Sequence, residues 1–291
     1  MDLVYKRCTF AVGYLWVEVK TQVQLDHLSS LLGGQIVDEM GNGEWPTLKK
    51  GIDAQTSDEV LDLLVQITDD PWWSRAWIFQ EDYVARKKMW LLIRHAQGLD
   101  KTYARNKLGC LLGELVVRSD KLRKYATLFC LALHQKLDRR PFVRGTCEKV
   151  LQRASKYDLL HWYRGSWWNI SRTMTIKILK DLDKRDMSVP SNLLAIAANV
   201  CGYNVRIMAA KNNTLKMSLS LGILTLCVSN REIIRNDDKK IALYENVFDF
   251  LEDRAMSINT PFIDGALTFI KHCRLSASHL SFTGVHTKGL L

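Results

Sequence analysis

Along the first hundred residues the spacing of apolar positions changes several times, and each change marks an element. "FAVGYLWVEVK" (10–20) is β-branched and aromatic with partial alternation, which predicts a strand. "TQVQLDHLSSLLGG" (21–34) then sets Leu25, Leu28 and Leu32 at helical steps. Thr21 stands where an N-cap belongs and Gly33–Gly34 where a helix stops. "GNGEWPTLKKG" (41–51) is a loop rich in turn residues. "SDEVLDLLVQITDD" (57–70) predicts a second helix, capped by Ser57, with apolar positions 60, 61, 64 and 67. "KKMWLLIRH" (87–95) has strand character, although so short an apolar run leaves a helix open.

Beyond residue 100 the pattern turns mostly helical. In "DKLRKYATLFCLALHQKLDRR" (120–140), Leu122, Ala126, Phe129, Leu133 and Leu137 form a stripe, and Lys121, Arg123, Lys124, Lys136 and Arg139 fall largely off it. This predicts an amphipathic helix with a basic solvent face. "TMTIKILKDLDKRD" (173–186) repeats the pattern more weakly. "VPSNLLAIAANVCGY" (189–203) opens on Pro190, with Ser191 as a cap, and stops at Gly202. "MSLSLGILTLCV" (217–228) fits a buried helix or strand, residues 245–257 a further helix, and "GALTFIKHCRL" (265–275) a closing apolar element. The expected fold is α+β and predominantly helical, with a small sheet in the N-terminal part and a boundary near residue 100.

Charge sharpens that boundary. Residues 1–85 hold 6 Lys and Arg against 14 Asp and Glu, residues 86–185 hold 24 against 8, and residues 186–291 hold 11 against 9. An acidic third is followed by a strongly basic one. Such asymmetry suits nucleic acid, an anionic surface or docking of one region on another. Because the cations are scattered through amphipathic helices, docking within the chain or on a protein ranks ahead of nucleic acid. The seven cysteines lie far apart without a C-x-x-C pair, which fits reduced buried thiols in a cytosolic protein. No histidine pair has zinc-helix spacing, so no metal site is expected. No apolar run reaches transmembrane length. "GSWW" (165–168) reads as core packing, and His272–Cys273 point apart on any regular element.

The densest candidate chemistry is "DDPWWSRAWIFQED" (69–82). Asp70 offers a cap oxygen and Pro71 the preset first helical dihedral. One helix from there puts Trp73, Trp77 and Glu81 at i, i+4 and i+8 on a single face, with Gln80 beside them and Arg75 pointing away. A carboxylate beside apolar rings is poorly solvated and requires a cation or hydrogen-bond donors. Two readings remain open. Either the indoles are core with Glu81 at the rim, or a site is built under an aromatic wall.

"PWWSRAWIFQE" (71–81) resembles the late block of the fungal heterokaryon incompatibility (HET) domain, approximately W-[FWY]-x-R-x-W-x-x-Q-E, with Trp73, Arg75, Trp77, Gln80 and Glu81 on the pattern. "MDLVYKRCTFAVGYL" (1–15) looks like the entry to the second half of some members. The segments 192–207, 219–233 and 267–291 are similar to the long helical extension of one subgroup. The family's opening blocks, near L-S-Y-x-W-G and L-W-I-D-x-x-C-I-x-Q, are not intact. "YLWVEVKTQ" (14–22) echoes the second, with Glu18 for Asp and no cysteine. The resemblance therefore implies an N-terminally truncated member, residues 1–100 being a partial incompatibility domain and residues 101–291 the helical extension; a fragment of this kind can be inactive. It further implies a cytoplasmic effector of fungal non-self recognition that works through a protein partner or self-association and leads to growth arrest or cell death, with no cofactor established. The family is distantly likened to TIR domains, some of which cleave NAD; in that alternative Glu81 is the catalytic carboxylate and NAD the substrate. A third reading makes the basic residues 86–185 a nucleic-acid surface.

Overall fold

The alternation at the start of the chain folds as strand β1 (Ala11–Val19), preceded by a short helix α1 (Asp2–Arg7). In the computed structural model, the described residues are 2–39, 45–136, 141–157, 159–160, 175–207, 219–230, 232–236, 267–274, 277–281 and 284–288. The chain forms two compact units, Met1–Arg164 and Gly165–Leu291.

In the first unit, helix α2 (Gln22–Leu32) starts and stops where its sequence predicts. Thr21 accepts a hydrogen bond from the Gln24 amide, Gly33 caps the far end, and Gly34 takes a φ of +68°. That left-handed conformation costs a residue without Cβ nothing. Residues Val37–Asp38 (β2) and Thr47–Leu48 (β3) make a two-residue antiparallel ladder, with β3 inside the stretch 41–51 expected as loop and β2 just before it. Helix α3 (Ala54–Thr68) begins earlier than its apolar pattern suggests, because Asp53, not Ser57, is the cap. The Asp53 carboxylate accepts from the Thr56 amide at 2.7 Å, whereas Ser57 lies inside the first turn and donates to the Asp53 carbonyl. A charged acceptor at the positive end of the helix is the stronger cap.

The apolar run after residue 87 is strand β4 (Met89–His95). It lies at the centre of a three-stranded sheet, parallel to β1 and antiparallel to β5 (Glu114–Arg118). The parallel step from β1 to β4 is made through α2, α3 and the motif helices, since only a long crossover can return the chain in the same direction. Gly13, Leu15 and Val19 of β1, Leu91 and Ile93 of β4, and Leu115 and Val117 of β5 point to the core. They meet Leu25 and Leu28 of α2 and Val60, Leu64 and Ile67 of α3 in a dense interior. Residue 100 falls inside this unit, because β5 completes the sheet started by β1 and helix α7 (Ser119–Lys136) packs on it.

Helix α7 differs from its expected form. Leu122, Ala126, Phe129 and Leu133 are buried as the stripe requires, but so are Ser119, Arg123, Thr127 and Cys130. The helix is covered on two sides, by the sheet unit and by helix α8 (Pro141–Ala154), so Arg123 is not on a solvent face. Lys121 is exposed as expected, and Lys124 pairs with Glu39 at 2.7 Å. Leu137, Arg139 and the Lys136 side chain lie outside the described part of the structure.

In the second unit, helices cover Thr175–Asp183, Asn192–Val200 and Leu219–Ser229. The middle one buries Leu193, Leu194, Ile196, Ala197 and Val200. Ser191 does not cap it, having itself a helical conformation, and Gly202 ends it at φ +67°. The Asn230 side chain accepts from the Val205 amide at 2.9 Å and donates to the Val205 carbonyl at 3.0 Å, tying the two ends of this helical layer. Strands Glu232–Asn236 and Leu267–Arg274 pair antiparallel, as do Ala277–Ser281 and Gly284–Lys288. The closing apolar element is therefore strand. The helix expected at 245–257 and "GSWW" at 165–168 lie outside the described residues. Among the described residues, no helix is long and apolar enough to cross a membrane.

Candidate functional site

The motif starts as its sequence predicts. Asp70 caps helix α4 (Pro71–Ser74), accepting from the Trp72 amide at 2.9 Å, with Pro71 at the first helical position. Its second oxygen accepts from the Val17 amide of β1 at 2.8 Å. That amide is released because β1 carries two extra residues, Trp16 and Val17, where its register against β4 shifts between Leu15 and Glu18. A single carboxylate thus satisfies one helix end and one strand bulge, and it is buried to 4% exposure.

The helix then breaks. Arg75 is extended (φ −79°, ψ 129°), and helix α5 (Ala76–Ala85) begins anew after it. Arg75 takes part in an isolated β-bridge at the break, and the two indoles before it pack in different surroundings. Trp73 is fully buried, and Trp72 lies against Gly13 of β1 so closely that a Cβ there would meet its ring at 2.6 Å. The two indoles meet edge to face at 4.7 Å. A fresh helix axis then lets Ala76, Phe79, Gln80 and Ala85 turn inward together.

The expected single stripe of Trp73, Trp77 and Glu81 is consequently divided. Trp77 and Glu81 share α5, four residues apart and both half-buried, while Trp73 belongs to the other helix. Arg75 is exposed and Gln80 is fully buried. Glu81 faces α1, where its carboxylate lies beside the Tyr5 hydroxyl. Burial first, and that carboxylate second, push the Tyr5 hydroxyl up to about 12.

The carboxylate that does reach the tryptophans is Asp82, by way of Arg123. Arg123 donates from Nε to Asp82 Oδ2 at 2.6 Å, holds Nη2 within 2.5 Å of the same oxygen, and donates from Nη1 to the Ser155 carbonyl at 2.9 Å. Its guanidinium carbon sits 5.2 Å from the Trp73 ring centre, a cation–π contact. Asp82 is 3% exposed and Arg123 7%. Next to them, the Thr127 hydroxyl donates to the Arg123 carbonyl and accepts from the Lys156 amide. Phe79, Tyr83 and Tyr157 form an aromatic trio with ring centres 6.0–6.1 Å apart. The motif thereby locks α5, α7 and the end of α8 together.

Sequence reasoning overlooked Asp82 and Arg123. The available signal was the second helical row Ser119, Arg123, Thr127 and Cys130, small residues at steps of three and four around one arginine, which marks a second buried face.

No protein-family model, curated protein or solved structure matches the chain. What the motif can do is therefore argued from its geometry. Its tryptophans and its buried ion pair hold the fold, and its half-exposed carboxylate is engaged by a tyrosine. Among the described residues, no group of three or more His, Cys, Asp and Glu gathers to hold a metal ion. The six described cysteines, 8, 110, 130, 147, 201 and 227, are free thiols. Cys130 on α7 is fully buried, and burial, with Cys147 beside it, raises its thiol well above the usual range.

Proposed function

We propose that the chain is an effector or signalling component of fungal non-self recognition that works by protein contact, with the W-x-R-x-W-x-x-Q-E residues as scaffold rather than as a reaction centre. One observation carries this choice between the two readings of the motif: Trp73 and Gln80 are wholly buried, and Arg123 ties Trp73 to Asp82 inside the core. The resemblance of residues 71–81 to the incompatibility block supplies the biological setting. The charge asymmetry agrees with it, since Asp82 meets Arg123, Glu39 meets Lys124, and the Thr68 carbonyl accepts from Arg153 across the acidic and basic thirds.

The test is expression of the chain and of Glu81→Gln in a fungal host, scored for growth arrest, together with incubation of purified protein with NAD to follow nicotinamide release. A scaffold role predicts equal arrest from both chains and no nicotinamide. Release of nicotinamide that Glu81→Gln abolishes while the variant stays folded would replace this reading with the NAD-cleaving one.

A further inference from the structure

The sheet of the first unit has a second face. Alternation sends Val12, Tyr14 and Glu18 of β1, Trp90, Leu92 and Arg94 of β4, and Glu114, Val116 and Arg118 of β5 to the side opposite the core. The pairing register arranges them in three rows across the strands. Val12, Trp90 and Arg118 form the first row, Tyr14, Leu92 and Val116 the middle one, and Glu18, Arg94 and Glu114 the last. None of the nine is buried.

The apolar part of this face is concentrated on β1. Phe10, in phase with the strand and just before it, is 65% exposed, Val12 52%, Tyr14 44% and Trp16 71%. Trp16 and Tyr14 stand edge to face, ring centres 6.4 Å apart, on the same side. Scaled by these exposures, β1 and Phe10 alone leave roughly 500 Å² of mostly aromatic surface in water. The half-buried Trp90 and Leu92 extend it toward the area of about 800 Å² that each partner of a stable complex covers, while Gly109 lies against Val116 at the β5 end of the middle row. A patch so large and so aromatic is rarely left open on a monomer.

Charge selects the occupant. The last row ends in two acids, Glu18 and Glu114, around Arg94. At the opposite end the exposed cations Arg7, Arg86 and Lys87 lead into β1 and β4, while the neighbouring Arg118 is already paired with Asp120 at 2.6 Å. A two-fold axis through the middle row sets the basic end of one copy on the acidic end of another and the aromatic band of each on the other. We propose that this open sheet face is a self-complementary interface, and that two copies of the chain associate through it, sheet on sheet. This proposal stands on the sheet and holds whether or not the incompatibility reading does.

The experiment is sedimentation velocity on the full chain from about 1 to 100 µM, the range where interfaces of this size associate when moderately strong. The interface predicts a dimer that Trp16→Ser weakens by about tenfold or more in Kd, as removal of a central aromatic anchor does. Trp16 is mostly exposed, so the fold survives the change, and circular dichroism melting checks this. The pair Glu18→Lys with Glu114→Lys, and separately Arg86→Glu with Lys87→Glu, each weaken the dimer, and an equal mixture of the two variants restores it. A chain that stays monomeric throughout, or a dimer unchanged in Trp16→Ser, overturns the proposal. So does a monomer that binds lipid vesicles or RNA through Trp16.

Discussion

Removing Asp82 while leaving Arg123 in place strands a guanidinium in the core. Asp82→Asn keeps the side-chain volume and removes the charge that Arg123 meets at 2.5 and 2.6 Å. Arg123 retains its bond to the Ser155 carbonyl and its place over Trp73, and at 7% exposure it cannot recruit bulk water. Breaking a buried pair from one side costs about 3–5 kcal/mol. With a urea slope of about 2 kcal/mol per molar, that moves the unfolding midpoint down by about 1.5–2.5 M. Urea unfolding followed by tryptophan fluorescence is the assay, because Trp73 lies in the reporting core. The double variant Asp82→Leu with Arg123→Met removes both charges and regains most of the loss, since a well-packed apolar pair is often as stable as the ions it replaces. A loss below about 1 kcal/mol in Asp82→Asn, the range of an exposed ion pair, refutes the placement of this pair in the core.

Other outcomes follow from the same geometry. Trp73→Ala lowers stability by about 3–5 kcal/mol, and half-buried Trp77→Ala by clearly less; equal losses in urea unfolding contradict the divided motif. Gly13→Ala, whose Cβ meets the Trp72 ring at 2.6 Å, destabilises by about 1–3 kcal/mol, and Trp72→Ala in the same chain removes the clash. In an alkaline absorbance titration, one of the nine tyrosines ionises last, near 12, and Glu81→Gln brings it down; no change in Glu81→Gln rejects the Tyr5 contact. Acid weakens the α2–α3 region. The Thr56 amide holds Asp53 below its usual 3.8, and hydrogen bonds from His27 and then Gln55 hold Glu59 below its usual 4.5. Carboxyls lowered in the folded state contribute stability above their unfolded values, and this is lost as pH falls through the folded ones. Melting temperature therefore drops on acidification below about pH 4.5, and Asp53→Asn with Glu59→Gln flattens that drop.

Elements whose pattern is local were legible in the sequence. Thr21, Gly33 and the leucine steps define α2, and the apolar runs at 11–19 and 89–95 are strands. The partnership of these strands was not legible, nor was the third strand at Glu114–Arg118, because pairing joins residues 76–78 positions apart between β1 and β4 and 20–28 between β4 and β5. The motif was legible at its start, where Asp70 and Pro71 act locally, and failed at Arg75. There the backbone turns extended and forms an isolated β-bridge, and no periodicity records that. Arg123 was assigned to water because it lies off the leucine stripe. Its partner Asp82 is 41 residues away, and only the fold brings the two together.

The two-residue bulge in β1 has a consequence for how the molecule avoids polymerising. A bare outer strand is a template onto which chain after chain can add without limit. Here the two extra residues at 16–17 kink β1, an outer strand of its sheet, away from a straight ladder, so a chain adding along the hydrogen-bonding direction meets an interrupted template.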